Sequence, residues 1–431
     1  MTRFKDINIL VDSLIKNQPK LVTYDLKRLR LVLQRLGSPQ LILKNIIHVA
    51  GTNGKGSTIA NLKALLIGHG YSVNTFTSPH LLEVRERINI NGQDIADDFL
   101  FDLLNHIINN SHDIPLSFFE LITCAGFLAF KEYQADYTLI EVGLGGKKDA
   151  TNIISSPIAS LITPISLDHQ EFLGDSISKI SLEKSGIIKK QVPLFIGKQP
   201  KQALDVIKNT AAKLDCLVFE YGKDWSVTYS SDRPYVKLKD KIIELDSKTL
   251  AGTFQSENSA LALATLFYLD LLKFEISKRC LANVKWPGRF QYLNHGPLVD
   301  IIKRENDKSK LIIDGAHNAS GAGVIAEEIS KNHWTNTCLI LAIQKSKDVV
   351  SFMEKFKGLV KSVFIIDSLE DNFQSHAEIV KQVGHAEFNI QKKQYASEAV
   401  GEIINKNKGE PVTIIITGSL YFIGKILEKH S

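Results

Sequence analysis

The sequence lacks the features that mark disulfide-bonded, zinc-ribbon and membrane proteins. Its four cysteines are scattered and none forms a C-x-x-C pair, which argues against a disulfide framework or a zinc ribbon. The segment Met1–Leu10 has no apolar core of the length that a signal peptide needs, and no apolar run approaches the length of a membrane span. We therefore expect a soluble protein of the reducing cytoplasm, without a membrane partner.

An excess of one charge is also missing. The formal net charge is +5, which is small for 431 residues and far from the clustered basic surface of a nucleic-acid-binding protein. No internal repeat or low-complexity segment interrupts the chain. With 44% hydrophobic and 23% charged residues the composition is that of an ordinary globular protein, and the length predicts two domains.

What the sequence does have is one glycine-rich stretch in an informative setting. Residues 48–58 read HVAGTNGKGST, after the apolar run 41–47 and before the segment 59–67, whose apolar residues recur at helical spacing. Strand, glycine-rich turn and helix form the usual setting of a phosphate-binding loop. Glycine backbone N–H groups can surround an oxyanion, and the positive end of the helix dipole points at the same place.

The side chains of this stretch fit the same interpretation. Lys55 would bring a mobile positive charge to the β- and γ-phosphates, and Ser57 or Thr58 would offer a hydroxyl ligand for Mg²⁺. Gly56 separates Lys55 from Ser57, so the stretch departs from the strict G-x-x-x-x-G-K-[ST] pattern, and an ordinary glycine-rich turn is the alternative. The loop by itself indicates a nucleotide and does not say what the nucleotide is used for.

Predicted strands and helices alternate through the first part of the chain. Helices are expected up to about residue 40 and at 121–133 and 180–188, and strands at 71–77, 136–143, 158–165 and 193–196. This alternation predicts a parallel sheet with both faces covered. Between and after these elements, the sequence predicts a polar loop at 78–92 and a small β-rich insertion at 214–250 that starts with a strand at 217–219.

Several charged residues lie where such a sheet would place a site. Glu141 is inside a predicted buried strand, where a charge is costly unless it is paired or bound to a metal, and the glycine-rich segment 143–146 follows it. Asp168 and His169 follow the next strand, at the end that binds ligands in open α/β sheets. The alternatives are a paired core residue for Glu141, a turn and helix cap for Asp168 and His169, and a solvated side chain for Lys184.

Proline and glycine in Trp286–Arg289 interrupt the alternation, which then starts again. Asp314–Asn318 is predicted to be a strand-to-helix turn among strands at 310–313, 337–342, 363–366 and 412–417. We therefore predict a first domain of residues 1–288 and a smaller Rossmann-like domain of residues 289–431.

Short blocks follow one another through the chain: GTNGKGS at 51–57, TSPHL at 77–81, ER at 86–87, NG at 91–92, FE at 119–120, EVGLGG at 141–146, DATN at 149–152, DH at 168–169, LG at 173–174, EK at 183–184, GI at 186–187, WPGR at 286–289, DGAHN at 314–318 and TGS at 417–419. In order and spacing they resemble folylpolyglutamate synthase/dihydrofolate synthase, members of the Mur ligase superfamily. The resemblance implies an α/β fold with a P-loop-containing parallel-sheet ATPase domain, followed by a smaller Rossmann-like C-terminal glutamate ligase domain.

The resemblance also implies a reaction. Enzymes of this kind use ATP to phosphorylate a carboxylate, and the amino group of L-glutamate then attacks the acyl phosphate. The carboxylate belongs to dihydropteroate, to folates or to both, and we expect both activities here. Family members are typically monomers whose two domains close for the reaction, which keeps water away from the acyl phosphate.

The site residues implied by the resemblance form three groups. ATP is assigned to Gly51, Thr52, Asn53, Gly54, Lys55, Gly56, Ser57, Thr58, Asn258, Arg289 and Asp314. Two Mg²⁺ ions are expected, one on Ser57 and the other on Ser78, Glu141 and His169. Catalytic roles are assigned to Lys55, Lys184, Asp314 and His317; Lys184 aligns with a lysine that is carbamylated in the family, and His317 would steer or deprotonate the incoming amine.

The chain departs from the family pattern at two places. Lys147 and Lys148 replace an arginine and an apolar residue, which would change how the pteridine or its glutamate tail is held, and Ser185 replaces an alanine. Two alternatives stay open: a ligase of the same superfamily that acts on cell-wall precursors, and a nucleotide-dependent binding module without ligase activity. The second would hydrolyse nucleotide whether or not glutamate is present.

Overall fold

The computed structural model describes residues 2–16, 26–230, 233–245, 252–367, 370–384, 387–407 and 409–429. The chain forms two compact units. Unit 1 consists of residues 1–166, 170–249 and 255–284, and unit 2 consists of residues 167–169, 250–254 and 285–431. Two short segments of unit 2 therefore come from the first part of the chain, and the domain boundary at 288/289 stays a prediction.

Unit 1 is built on a mainly parallel sheet. Its strands within the described residues are β1 (Ile46–Ala50), β2 (Val73–Phe76), β3 (Ile88–Ile90), β4 (Gln93–Asp94), β5 (Tyr137–Glu141), β6 (Ala159–Ile162), β7 (Leu194–Ile196) and β8 (Val218–Glu220), in the order β4-β3-β2-β5-β1-β6-β7-β8. Strands β3 and β4 run antiparallel to their neighbours and the other pairs are parallel. The central strand β1 is buried along its whole length, as a parallel sheet with covered faces requires.

Helices cover both faces of this sheet. The described α-helices of unit 1 are α1 (Thr2–Lys16), α2 (Lys27–Arg35), α3 (Lys55–Gly68), α4 (Asp97–Asn110), α5 (Phe118–Glu132), α6 (Gln170–Leu173), α7 (Ile177–Lys184), α8 (Lys201–Lys213), α9 (Thr253–Tyr268) and α10 (Phe274–Ala282). Side chains alternate across β1, so that Ile46 packs in one hydrophobic core with Phe127 of α5, whereas Ile47 packs in another with Leu62 of α3.

A separate antiparallel sheet of β9 (Trp225–Ser230), β10 (Arg233–Leu238) and β11 (Lys241–Glu244) confirms most of the predicted β-rich insertion. The strand predicted at 217–219 is confirmed as β8, but its place in the insertion is wrong, because β8 pairs in parallel with β7 and belongs to the large sheet. The ring of Phe219 stacks on that of Phe195 in β7, with 4.9 Å between the ring centroids. Such a contact between distant residues cannot be read from local sequence.

The predicted polar loop at 78–92 is wrong in part. It holds a short 3-10 helix, Val84–Arg87, and then the strand β3. Asn91 and Gly92 have φ angles of 46° and 95° and turn the chain into β4. An Asn-Gly pair after alternating apolar residues is a strong hairpin signal, and it would have identified this strand.

Unit 2 is a second, smaller α/β layer structure. Its described strands are β12 (Gln291–Tyr292), β13 (Lys310–Ile313), β14 (Thr337–Leu341), β15 (Ser362–Ile366), β16 (Ile390–Lys393) and β17 (Thr413–Thr417), in the order β12-β13-β17-β14-β15-β16. Its described helices are α11 (Pro297–Glu305), α12 (Ala319–Lys331), α13 (Val349–Glu354), α14 (His376–Val383), α15 (Ala396–Lys406) and α16 (Leu420–Glu428). The strand predictions for β13, β14, β15 and β17 are confirmed, and β12 and β16 were not predicted.

The prediction of an α/β fold with mainly parallel sheets is confirmed in both units. In the ranges that the structure describes, no helix combines the length and the apolar character that crossing a membrane requires.

Candidate active site

The phosphate loop of unit 1 runs from the end of β1 to the start of α3. Gly51 and Gly54 have φ angles of 151° and 88°, in the region that favours glycine. A Cβ atom at Gly51 would overlap the hydroxyl of Thr163, and one at Gly54 would overlap Oδ1 of Asn258. These close approaches explain why the loop needs glycine at both positions, and they place Asn258 of α9 directly against it.

The end of β6 supports the same loop. The N–H groups of Thr52 and Asn53 donate to the carbonyl of Pro164, over 3.0 and 3.3 Å, and the Thr52 hydroxyl donates to the carbonyl of Ser166 over 3.1 Å. Ser57 lies in the first turn of α3, and its hydroxyl has no hydrogen-bond partner among the described residues. This hydroxyl is free to bind a ligand.

Two lysine side chains converge on the loop. Lys55 Nζ donates to the carbonyls of Gly51 and Thr52, over 3.2 and 3.1 Å. Lys184, at the end of α7, is buried, and its Nζ donates to the carbonyl of Gly51 over 2.7 Å. A solvated side chain, the alternative for Lys184, is not what the structure has.

The end of α7 reaches this place because the glycine-rich segment after β5 packs directly on it. A Cβ atom at Gly146 would lie only 2.6 Å from the carbonyl oxygen of Glu183. The same carbonyl accepts the N–H of Lys147 over 2.7 Å. The backbone at Gly146 and Lys147 therefore packs directly against the backbone at Glu183. This contact holds Lys184, the last residue of α7, beside the phosphate loop.

Glu141, the last residue of β5, lies beside β1 with its side chain buried. Its Oε2 accepts the N–H of Ser78 over 3.1 Å, and its Oε1 is 3.9 Å from Nζ of Lys55. A backbone donor and a nearby cation reduce the cost of burying this charge. The residue is therefore paired, and the same contacts join it to the phosphate loop.

Unit 2 holds a second polar cluster, centred on Asp168. This carboxylate accepts hydrogen bonds from Lys347 Nζ at 2.5 Å and Asn318 Nδ2 at 3.0 Å, and it lies 3.3 Å from Nε2 of His317. His169 Nε2 is 3.4 Å from Lys347 Nζ. The predicted residues Asp168, His169 and His317 are thus neighbours, around a lysine that was not predicted.

The charges of this cluster compensate one another. Burial alone would raise the pKa of Asp168, but the hydrogen bond and charge of His317, with the charges of His169 and Lys347, hold it well below its usual range. Lys347 itself is buried, with an exposed fraction of 8% for its side chain. A polar pair, Lys347-Asp348, shortly after the apolar strand β14 was the available sequence signal for this residue.

Asp314 and His317 occupy the turn after β13. Asp314 accepts the N–H groups of Phe290 and Ala316, over 2.8 and 2.7 Å. Burial raises the pKa of Asp314, against the opposing charge of Arg289 and these two N–H groups. His317 Nδ1 is 3.0 Å from the carbonyl of Gly315, so both of its ring nitrogens face oxygen acceptors.

The predicted metal ligands are divided between the two units. Ser57, Ser78 and Glu141 belong to unit 1 and His169 to unit 2, so the complete ligand set stays a prediction. Across the described ranges, no three His, Cys, Asp or Glu side chains gather as a ready-made metal site. The predicted set contains only two such residues, and Mg²⁺ commonly completes its shell with water and substrate phosphates.

Comparison with known proteins assigns the chain to a class. The Mur ligase middle domain model matches residues 49–266, which hold the phosphate loop, Glu141 and Lys184. The dihydrofolate synthetase C-terminal domain model matches residues 298–429. The first match defines a Mur-type ligase, and the second points to the folate branch.

Whole-chain relatives agree with both models. The dihydrofolate synthase/folylpolyglutamate synthase of Bacillus subtilis is 31% identical, over 94% of each chain. The structure of E. coli FolC with DHPP and ADP matches with a TM-score of 0.85 and 25% identity, over 98% of this chain and 97% of that one. The bifunctional enzyme of Yersinia pestis with AMPPNP and a Mn ion gives the same values. The chain belongs to the dihydrofolate synthase/folylpolyglutamate synthase family.

The predicted family, the Mur ligase type of fold and the class of ATP-dependent ligase are confirmed by these matches. They decide against the cell-wall ligase and against a binding module without ligase activity.

Proposed function

We propose that this protein joins L-glutamate to dihydropteroate and also to folates, through an acyl phosphate made with ATP. The observation that carries the proposal is the convergence of Lys55, Lys184 and Glu141 on a glycine-rich phosphate loop. The names of the relatives support the choice of substrates, because the B. subtilis relative is named for both activities and the E. coli structure holds DHPP and ADP.

The loop residues Gly51 to Thr58 would bind the ATP phosphates, with Asn258 beside them. Transfer of a phosphoryl group depends mainly on positioning and on neutralising negative charge. Lys55 is the cation placed for this task, since its Nζ already lies over the loop carbonyls. Arg289 and Asp314 would complete the nucleotide site from their own unit.

The residues present fit the two Mg²⁺ ions that the family resemblance implies. Ser57 offers a hydroxyl with no partner among the described residues, and Glu141 offers a buried carboxylate beside Ser78. Oxygen ligands of this kind suit Mg²⁺, and His169 is proposed as the further ligand. When bound, the metal ions would neutralise charge on the phosphates.

Lys184 and His317 have proposed roles in handling the two substrates. Carbamylation would convert the Lys184 ammonium into an anion at the loop, where its buried position protects the adduct from bulk water. For His317 we favour steering of the amine over its deprotonation. Both ring nitrogens already lie near oxygen atoms of unit 2, so neither is left over to take a proton from the amine.

The test is ADP release by the purified protein with Mg-ATP and L-glutamate, comparing dihydropteroate with tetrahydrofolate. Turnover that requires glutamate with either pterin substrate is the expected result. Turnover with only one of them would restrict the enzyme to a single activity. Nucleotide hydrolysis that ignores both glutamate and pterin would overturn the proposal.

We also propose that the protein acts in the cytoplasm and as a monomer. The four cysteines are free thiols, which supports a reducing compartment. Light scattering of the purified protein during size-exclusion chromatography measures the oligomeric state directly, and a mass near 48.1 kDa is expected.

A further inference from the structure

His80 and Arg87 form a side-chain pair in unit 1, within the segment between β2 and β3. Nε of Arg87 donates to Nδ1 of His80 over 2.8 Å. An arginine Nε carries its hydrogen at all working pH values, so His80 Nδ1 must be the bare acceptor. The neutral imidazole then has its hydrogen at Nε2, and its orientation and tautomer are both set by Arg87.

The donor in this pair is itself held in place. Arg87 is buried, and its guanidinium lies 5.4 Å from the centroid of the Phe118 ring. Its carbonyl accepts the N–H of Thr77 over 2.9 Å, which closes the segment at its base. A buried arginine with these contacts offers a permanent hydrogen bond to the imidazole.

The backbone around His80 is equally well ordered. The Glu86 carboxylate accepts the N–H groups of Leu81, Leu82 and Glu83, over 2.7, 2.9 and 2.8 Å. Three donors on one carboxylate lock the turn that follows His80. The imidazole therefore stands on a rigid support.

The outer edge of the imidazole is free. Nε2 of His80 has no hydrogen-bond partner among the described residues, and it is not among the fully buried polar atoms that lack one. The edge that carries the hydrogen is thus accessible to a ligand. Two residues earlier in the chain, the N–H of Ser78 binds the Glu141 carboxylate, which places the edge beside the site already described.

The order of the strands indicates which ligand would reach Nε2 of His80. Neighbours in the sheet run β2-β5-β1, with the segment of His80 after β2, Glu141 at the end of β5 and the phosphate loop after β1. Adjacent strands are about 4.8 Å apart, so β2, from which the segment of His80 leaves, lies about 10 Å from β1 across the sheet. The γ-phosphate of a nucleotide on the loop must face the carboxylate that accepts it, and we infer that this carboxylate lies between the loop and the segment of His80.

We propose that His80 is a catalytic residue, whose Nε2–H donates a hydrogen bond to an oxygen of the substrate carboxylate throughout the reaction. This inference rests on the proposed function. In the first step a carboxylate oxygen bonds to the γ-phosphorus while the bond from that phosphorus to ADP breaks. In the second step the glutamate nitrogen bonds to the carbonyl carbon, phosphate leaves with the electron pair of the C–O bond, and the amine proton passes to solvent.

His80 keeps its hydrogen in both steps. Negative charge grows on the carboxyl oxygen when the amine attacks, and a donor already oriented toward that oxygen stabilises the charge. A neutral imidazole with a fixed tautomer is suited to this task, because it needs no proton transfer before or after the reaction.

Two substitutions separate this role from a purely structural one. His80→Asn places an amide oxygen where Nδ1 accepts from Arg87, but no group reaches the position of Nε2. His80→Gln places an amide at the position of Nε2 and gives up the acceptor beside Arg87. A donor role predicts that H80N loses about 10²- to 10³-fold in kcat at unchanged KM for ATP, and that H80Q recovers at least about tenfold of that loss.

The opposite pattern, with H80N close to wild type and H80Q impaired, would show that His80 only anchors Arg87. Thermal unfolding of both variants checks that they fold. Should H80N not fold, H80Q decides alone: a loss in kcat of no more than about 100-fold supports the donor, and a larger loss overturns it. Wild-type protein without pterin- and glutamate-dependent turnover overturns the proposed function itself, whereas an active wild type with fully active H80N overturns this inference alone.

Discussion

At the residue scale, hydrogen bonding in the site region of unit 1 fixes the state of some buried polar groups and leaves other polar atoms without a partner among the described residues. His48, in the middle of β1, is an example. Its Nε2 lies 2.9 Å from the Thr151 hydroxyl, which itself donates to Asp149. The hydroxyl oxygen must therefore accept from Nε2–H, and the buried Nδ1 has no partner in the described part of the chain. The sequence places His48 at the start of the glycine-rich stretch, whereas the structure places it in β1, and the sequence says nothing of this network.

This arrangement predicts a pH dependence of stability. Burial, with a smaller contribution from the charge of Lys189, lowers the pKa of His48 from 6.5 to about 3. The unfolded chain binds a proton at His48 below pH 6.5 and the folded protein does not until about pH 3, so the free energy of unfolding decreases as the pH falls through this interval.

The measurement is urea unfolding between pH 7 and pH 4, for the wild type and for His48→Gln. The glutamine keeps a donor for Thr151 and has no titrating group. We expect a shallower decline of stability with falling pH in H48Q. Identical slopes in the two proteins would contradict the assignment.

At the scale of elements, the turn between β1 and α3 is contacted by residues from several other parts of unit 1. The glycine pattern and the apolar run before it were enough to predict the order of strand, loop and helix, because these signals are local. The bounds were less accurate, since β1 is Ile46–Ala50 and overlaps the apolar run 41–47 at two residues only. The contacts that shape the loop come from β6 and α9, far away in the chain. Thr163 and Asn258 fill the space that Gly51 and Gly54 leave open, and neither contact follows from spacing.

Gly51→Ala tests how much of the loop depends on this close approach. The added methyl group would overlap Thr163, so we expect a loss of stability of about 1–3 kcal/mol from the overlap, on top of the backbone strain, together with weaker nucleotide binding. Denaturant unfolding and calorimetric titration with ADP measure the two effects.

Gly70→Ala is the matched control. Gly70 also has a positive φ, 96°, but nothing lies within 4 Å of the added Cβ. Its cost is therefore the backbone strain alone, about 1–2 kcal/mol, and ADP binding is expected to be unchanged. If the two variants behave alike, the overlap with Thr163 has no role.

At the scale of the whole molecule, unit 2 is assembled from three separate stretches of chain. The pair of Lys347 and Asp168 joins residues 179 positions apart and lies at the centre of the cluster that also holds His317 and Asn318. Because the C-terminal stretch carries the lysine and an earlier stretch carries the carboxylate, unit 2 requires both for its polar cluster.

Lys347→Met leaves the Asp168 carboxylate buried without its closest cationic partner. Breaking such a pair costs about 3–5 kcal/mol, and we expect a loss of stability of that order with faster hydrogen exchange at 314–318. Lys345→Met is the control in the same loop, since Lys345 is half exposed and 3.6 Å from Glu378. An exposed pair contributes at most about 1 kcal/mol, so equal effects of K347M and K345M would refute the buried pair.

The sequence by itself determined the alternating α/β architecture, the phosphate loop and the family. Each of these depends on neighbours in the chain: the apolar spacing of a strand or helix, the glycines of one turn, and the order of short motifs. The Asn91-Gly92 pair is also a local signal, and it indicates a hairpin. The prediction of a polar loop at 78–92 did not make use of it.

Only the tertiary structure decided which polar groups meet. The bond of Lys184 to Gly51 spans 133 positions and that of Lys347 to Asp168 spans 179. His80 and Arg87 are only seven positions apart, yet the tautomer of His80 follows from the contact of Arg87 Nε with its Nδ1, which the sequence does not show. Composition and spacing constrain secondary structure, whereas hydrogen bonding and charge pairing at a site depend on packing between elements that the linear order leaves open.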